Sequence, residues 1–109
     1  MDISSYLAPE SCTTELAGRK KDEVIRSLAE LIALSPSVGD VNPDDIYRGL
    51  MDREAMGSTG FGRGIAIPHC KVEGMKNFAL ALGISTRGVD FDAMDGRSVH
   101  VFCAIVGPP

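Results

Sequence analysis

Basic residues are too few in this chain to make a nucleic-acid surface. Eleven Lys and Arg stand against fifteen Asp and Glu, a formal net charge of -4. Nucleic-acid-binding domains usually carry a basic face. Long apolar runs are missing too. The longest, Phe78 to Ile84, is interrupted by Gly83. It is far too short to span a bilayer, so no membrane insertion is expected. The opening Met-Asp-Ile-Ser-Ser has neither a basic region nor a long apolar core, so it does not read as a secretory signal. Cysteine is scarce and odd in number. Cys12, Cys70 and Cys103 form no C-x-x-C pair. A disulfide scaffold is not indicated, and a reducing cytoplasm fits best. His69, His100 and these cysteines offer no spacing at which three or four ligands converge, so no metal is expected.

Familiar nucleotide and hydrolase motifs are also missing. No G-x-x-x-x-G-K-[ST] occurs. Gly60 and Gly62 begin a G-x-G-x-x-G match that fails at Ile65. No serine sits in G-x-S-x-G. Cys70 adjoins His69, but neighbours on a strand point to opposite faces, so a thiol–imidazole pair is not expected. His100 and Cys103 diverge in the same way.

The 109 residues suit one small domain over 1–109. At 44% hydrophobic and 24% charged, the composition is that of an ordinary globular protein. Residues 1 to 18 read as a helical turn over Ile3 to Leu7, then a loop. Val24, Ile25, Leu28, Leu31 and Ile32 recur at helical spacing, which predicts a helix over Lys20 to Leu34. Pro36 and Gly39 break it. Asn42 caps a second helix with Pro43 at its first position and Asp44 and Asp45 in its first turn. Gly57 is its expected stop. Strands are expected at Ile65 to Ile67, ended by Pro68, at Phe78 to Ser85 and at Ser98 to Val106. Val72 to Asn77 reads as a connector and Thr86 to Gly96 as a loop. Helices first and strands later predict an α/β fold bordering on α+β, a mixed β-sheet covered by helices. The later strands are apolar on both faces and need cover on both. Two helices do not obviously supply it. The expectation is a chain shortened at its C-terminus, or one that completes its core as a homo-oligomer.

One stretch gathers chemistry. Between Arg53 and Lys71 lie Gly57, Gly60, Gly62 and Gly64, the hydroxyls of Ser58 and Thr59, the cations of Arg53 and Arg63, and His69. Glycine lets other groups approach the backbone closely. A lone histidine at a strand end is more often structural than reactive, and Arg53 alone reads as a cation suited to a helix C-terminus. Together they suit a phosphoryl group. Imidazole is a competent nucleophile near neutral pH. Phosphoryl transfer asks the protein mainly for positioning and charge stabilisation, and a guanidinium fork matches phosphate oxygens.

The run D-R-E-A-M-G-S-T-G-F-G-R-G-I-A-I-P-H, residues 52–69, resembles the active-site signature of phosphotransferase-system enzyme IIA domains of the mannitol/fructose class. The opening I-S-S-Y-L-A-P-E, the K-K-D-E-V-I-R-S-L-A-E-L helix and V-D-F-D-A-M-D-G through V-H-V-F-C-A-I-V-G-P-P extend the likeness over essentially the whole chain. The opening and V-D-F-D-A-M-D-G favour the nitrogen-regulatory branch. This resemblance implies a cytoplasmic phosphotransferase with a phosphohistidine intermediate, and no organic cofactor. His69 would accept the phosphoryl group from the histidine phosphocarrier protein, with Arg53 stabilising its charge. Ser58, Thr59, Gly60 and Gly62 would bind phosphate. In a sugar-specific (fructose or mannitol) relative, the group passes on to a cysteine of enzyme IIB. The family's C-terminal helices, with a second active-site histidine, would lie beyond Pro109. His100 does not match that histidine and is expected to be a packed or edge residue. The competing reading is a regulatory docking module whose target senses the charge on His69. A third is a fragment inactive alone.

Overall fold

A computed structural model describes residues 7–109. It contains strand β1 (Leu7–Thr13), helix α1 (Lys21–Ala33), a 3-10 turn at Pro36–Val38, helix α2 (Pro43–Glu54) and strands β2 (Gly60–Gly62), β3 (Ile65–Ala66), β4 (His69–Lys71), β5 (Ala79–Val89) and β6 (Val99–Gly107). The strands form one mixed sheet in the order β1-β5-β6-β3-β2, with β4 also on β6. This is the expected α/β sheet with helical cover, and the cover lies on one face. β5 and β6 are antiparallel, whereas β1–β5, β3–β6 and β4–β6 are parallel.

Both helices start where their end groups are satisfied. The Glu23 carboxylate accepts the backbone N–H groups of Arg19 and Lys20 ahead of α1. Those bonds, the Arg19 one foremost, hold its carboxyl below the usual glutamate range. Asn42 caps α2 through the N–H of Asp44, with Pro43 following. α1 then buries Val24, Ile25, Leu28, Ala29 and Ile32. Small residues on β5 let the helices come close: Ala79, Ala81 and Gly83 face the same way as Val106, Ala104 and Phe102 of β6. A Cβ on Gly83 would meet Leu16 at 2.9 Å.

The opposite sheet face carries Leu80, Leu82 and Ile84 beside Ile105, Cys103 and Val101. Leu80 is nearly buried, but Ile84 and Val101 remain 40% and 39% exposed. Among the described residues, neither helix covers this face.

Three local expectations are corrected. Leu7–Thr13 is a strand and not a turn and loop. Pro9 sits in it because β1 is the sheet edge, where a missing N–H costs no ladder bond. The rest of the expected turn, residues 3–6, lies outside the described residues. Thr86 to Val89, expected as loop, continues β5. The register shifts between Ile84 and Val89, and Ser85 Oγ accepts the Gly88 N–H within that irregular step. A bulge hides the alternation by which such a strand is read. The third strand is shorter than expected, ending at Ala66, and pairing with β6 resumes at His69 after Pro68. No helix among the described residues is long and apolar enough to cross a membrane.

Candidate functional site

His69 opens β4, opposite Ile105 of β6. It therefore shares the less covered face with Leu80 and Ile105, and it is exposed. Its neighbour Cys70 takes the other side, where Gly49 of α2 comes so close that a Cβ there would lie 2.9 Å from the thiol sulfur. Histidine and cysteine thus diverge as strand geometry predicts. Burial, with a smaller contribution from the Asp52 charge, pushes the Cys70 thiol up to about 11. Its thiolate is a minor species at neutral pH, which fits an inert packing role.

His69 Nδ1 lies 2.8 Å from the carbonyl oxygen of Ile67. A carbonyl only accepts, so Nδ1 carries the proton. In the neutral ring the lone pair then sits on Nε2, which is the nucleophilic nitrogen.

The glycine loop is tied to this corner by the backbone. Ile67 donates its N–H to the Thr59 carbonyl at 3.1 Å, two residues before His69. β2 and β3 form a hairpin whose turn residues, Arg63 (φ 59°) and Gly64 (φ 77°), both have positive φ, as a two-residue type I′ turn requires. Asp95 clips its outer side by accepting the N–H groups of Arg63 and Arg97. Those bonds, the Arg97 one first, hold the Asp95 carboxyl below the usual aspartate range.

Arg53 comes from the last turn of α2, and a guanidinium N–H donates to Gly57 O at 2.9 Å. The bond uses one of five guanidinium donors. α2 ends at Glu54, with Ala55 as its cap, slightly ahead of the expected stop at Gly57. Gly57, at φ 138°, then turns the chain into the loop.

Ser58 and Thr59 both find partners within the protein. The Ser58 hydroxyl donates to Phe91 O at 2.6 Å and accepts the Gly60 N–H at 3.0 Å. The Thr59 hydroxyl donates to the Glu54 carboxylate, which also accepts the Thr59 N–H at 3.0 Å. Thr59 is buried. Both hydroxyls, and the Gly60 N–H, are thus engaged in shaping the loop. Gly62 lies against Asp95, 3.3 Å from where a Cβ would stand.

Sequence reasoning passed over Glu54, Lys21 and Asp95. Glu54 is buried, and Lys21 Nζ meets its carboxylate at 2.9 Å. One signal was available. A carboxylate in the last turn of a helix opposes the macrodipole, so it needs compensation from elsewhere in the fold. His100, on β6, points its Nδ1 at Ser85 O, 2.9 Å away. Its ring packs over Gly88, where an added Cβ would lie 2.8 Å from Cε1. It is an exposed residue near the start of an inner strand, five residues ahead of Ile105, the residue opposite His69. Among the described residues, no three His, Cys, Asp or Glu side chains are grouped as a metal ion would need.

Known proteins resemble this chain in sequence and in fold. The family model "Phosphoenolpyruvate-dependent sugar phosphotransferase system, EIIA 2" matches residues 5–109. The nitrogen regulatory protein of Pseudomonas aeruginosa is 34% identical over 106 residues, covering 97% of this chain and 68% of that protein. The fructose-specific EIIABC component of Bacillus subtilis is 33% identical over 102 residues, covering 93% of this chain and only 16% of that protein. Among solved structures, the nitrogen regulatory protein IIA-Ntr of Neisseria meningitidis superposes with a TM-score of 0.88 at 27% identity, over 97% of this chain and 70% of that one. With a match over nearly every residue, the chain belongs to the EIIA 2 family of the phosphoenolpyruvate-dependent sugar phosphotransferase system.

Proposed function

We propose that this domain is a cytoplasmic phosphocarrier in which His69 Nε2 takes a phosphoryl group from the histidine phosphocarrier protein. The observation that carries this reading is that the exposed His69 imidazole, with Nδ1–H on the Ile67 carbonyl, stands two residues after Ile67, whose own N–H is bonded to the loop that anchors Arg53. The Nδ1–H bond leaves the Nε2 lone pair for attack on phosphorus. As the Nε2–P bond forms, the bond from phosphorus to the donor's imidazole nitrogen breaks, and that nitrogen recovers its electron pair. The His69 ring gains positive charge while keeping its Nδ1 proton, and the Ile67 carbonyl stabilises that charge. The Arg53 guanidinium, anchored through Gly57 at the end of the helix that packs on β4, supplies charge to the phosphoryl oxygens. In this reading Ser58, Thr59, Gly60 and Gly62 serve mainly to hold the loop in shape, since the Ser58 and Thr59 hydroxyls already bond within the protein.

Likeness to the two nitrogen regulatory proteins favours a regulatory output, in which the phosphorylation state of His69 sets the docking of a target protein. A sugar-specific role is the second reading, favoured by the Bacillus relative, whose name joins A, B and C components in one fructose-specific protein. There the group would continue to an enzyme IIB cysteine.

The test is intact mass after incubation with phosphoenolpyruvate, enzyme I and the phosphocarrier protein. The expected result is an acid-labile gain of one phosphoryl group that His69→Ala abolishes. No gain in a folded protein overturns the reading.

A further inference from the structure

We propose that Glu54 is a positioning residue for both His69 and Arg53, acting through a single chain of hydrogen bonds; this rests on the phosphocarrier reading of the site. The chain begins at Lys21, in the first turn of α1, whose ammonium pairs with the buried Glu54 carboxylate at 2.9 Å. That carboxylate takes both the N–H and the hydroxyl of Thr59. Thr59 offers its carbonyl to the Ile67 N–H at 3.1 Å. Ile67 in turn offers its own carbonyl to His69 Nδ1 at 2.8 Å. Pro68 stands between them with its φ restricted by its ring. The position of the Ile67 carbonyl, and with it the tautomer and direction of the His69 ring, is thereby referred back to Glu54.

The same carboxylate governs Arg53. Glu54 and Thr59 close a short loop, and Gly57, whose carbonyl anchors the guanidinium, lies within it. The Gly57 N–H also returns to the Glu54 carbonyl at 3.1 Å. Nucleophile and cation are thus indexed to one buried ion.

Stability alone is a poor account of this arrangement. Burying an ion pair seldom gains stability over a well-packed apolar pair, and a carboxylate at a helix C-terminus opposes the macrodipole. Fixed geometry is what the arrangement supplies. Displacing a reacting group by about 1 Å is enough to cost on the order of 10²-fold in rate.

The test is nitrogen-15 NMR of the full chain, reading the Nδ1 and Nε2 shifts of both histidines. His100 is the internal control, because its Nδ1 also meets a backbone carbonyl, that of Ser85, outside this chain of bonds. In the unmodified protein both rings should show the Nδ1–H tautomer when neutral. Glu54→Gln and Thr59→Val should move His69 toward a mixture of tautomers and leave His100 unchanged. Thr59→Ser, which keeps the hydroxyl, should restore the His69 pattern. Phosphoryl acceptance should fall by about 10²-fold in the first two variants and recover in the third. An unchanged His69 signature in the folded variants overturns the proposal whatever the rate. So does a joint shift of both histidines, which would mean general loosening. If Glu54→Gln does not fold, the Thr59→Val and Thr59→Ser pair decides. The spectra need no phosphodonor. A responsive His69 in a protein that accepts no phosphoryl group would overturn the phosphocarrier reading and leave the positioning role standing.

Discussion

His69 and His100 make an instructive pair. Both are exposed, and both direct Nδ1 to a backbone carbonyl, at 2.8 Å and 2.9 Å. The tautomer is therefore the same in each, and a tautomer held by a carbonyl does not by itself mark a reactive ring. The surroundings differ. His69 starts a short strand beside Pro68, and the loop bonded to its neighbour Ile67 also anchors Arg53. His100 lies over Gly88 with its ring edge filling the space a side chain would need. One ring comes two residues after Ile67, whose backbone is bonded to the loop that holds a cation, and the other lies against a backbone surface. The hairpin turn touches both neighbourhoods, since Gly64 O accepts the His100 N–H at 2.9 Å and the same hairpin pairs with β6 just ahead of His69.

The sharpest way to break the comparison is to remove each ring. His69→Ala should abolish phosphoryl acceptance, and His100→Ala should leave its rate within about twofold, as expected of a site outside the reacting geometry; loss of labelling in both would erase the distinction. Next is the cation. Arg53→Ala should slow phosphorylation of His69 by roughly 10²- to 10³-fold, the usual scale for one lost charge-stabilising donor. Arg53→Lys should recover only part of that, because an ammonium lacks the planar fork. Time-resolved intact mass measures both. A smaller effect is expected at the other ring. Gly88 sits at φ 85°, and a Cβ would press on His100 at 2.8 Å. Gly88→Ala should destabilise the fold by about 1–2 kcal/mol in denaturant titration, with phosphorylation of His69 intact in the folded fraction.

The mildest effects are chemical. Asp95 binds the hairpin in its charged form, and its folded value is depressed. Its contribution is present above the ordinary aspartate value and is lost as pH falls through the lowered folded one. The stability gap between the protein and Asp95→Asn should therefore narrow as pH falls through the acid range. A gap that widens would contradict the clip. At Cys70, held at about 11, alkylation should stay slow near neutral pH and rise steeply only in strong alkali, while exposed Cys12 reacts readily. Mass-resolved labelling would reveal a fast Cys70, and that would show the strand beside His69 to be looser than its packing implies.

Much of this was legible in the chain. The helical spacing from Val24 to Ile32 and the Asn42-Pro43 cap announce their helices because capping and amphipathic burial are local properties. The G-S-T-G-F-G-R-G run and Pro68-His69 mark the candidate site because glycine and proline report backbone geometry directly. Strand β1 and the second half of β5 were not legible. An edge position tolerates Pro9, and a bulge interrupts the alternation from which strands are read. The partners of the Ser58 and Thr59 hydroxyls, Phe91 and Glu54, are chosen by the fold.

What the sequence determined by itself is the inventory: which residues can attack, which can neutralise, and where the backbone must turn. What only the tertiary structure decided is how those groups are used. It assigns the His69 proton to Nδ1, occupies the Ser58 and Thr59 hydroxyls, turns Cys70 toward α2 and brings Lys21 to Glu54. The physical reason is that hydrogen-bond valence is finite. A polar group's availability depends on which partners the packing of distant segments delivers to it, and no local pattern records that delivery.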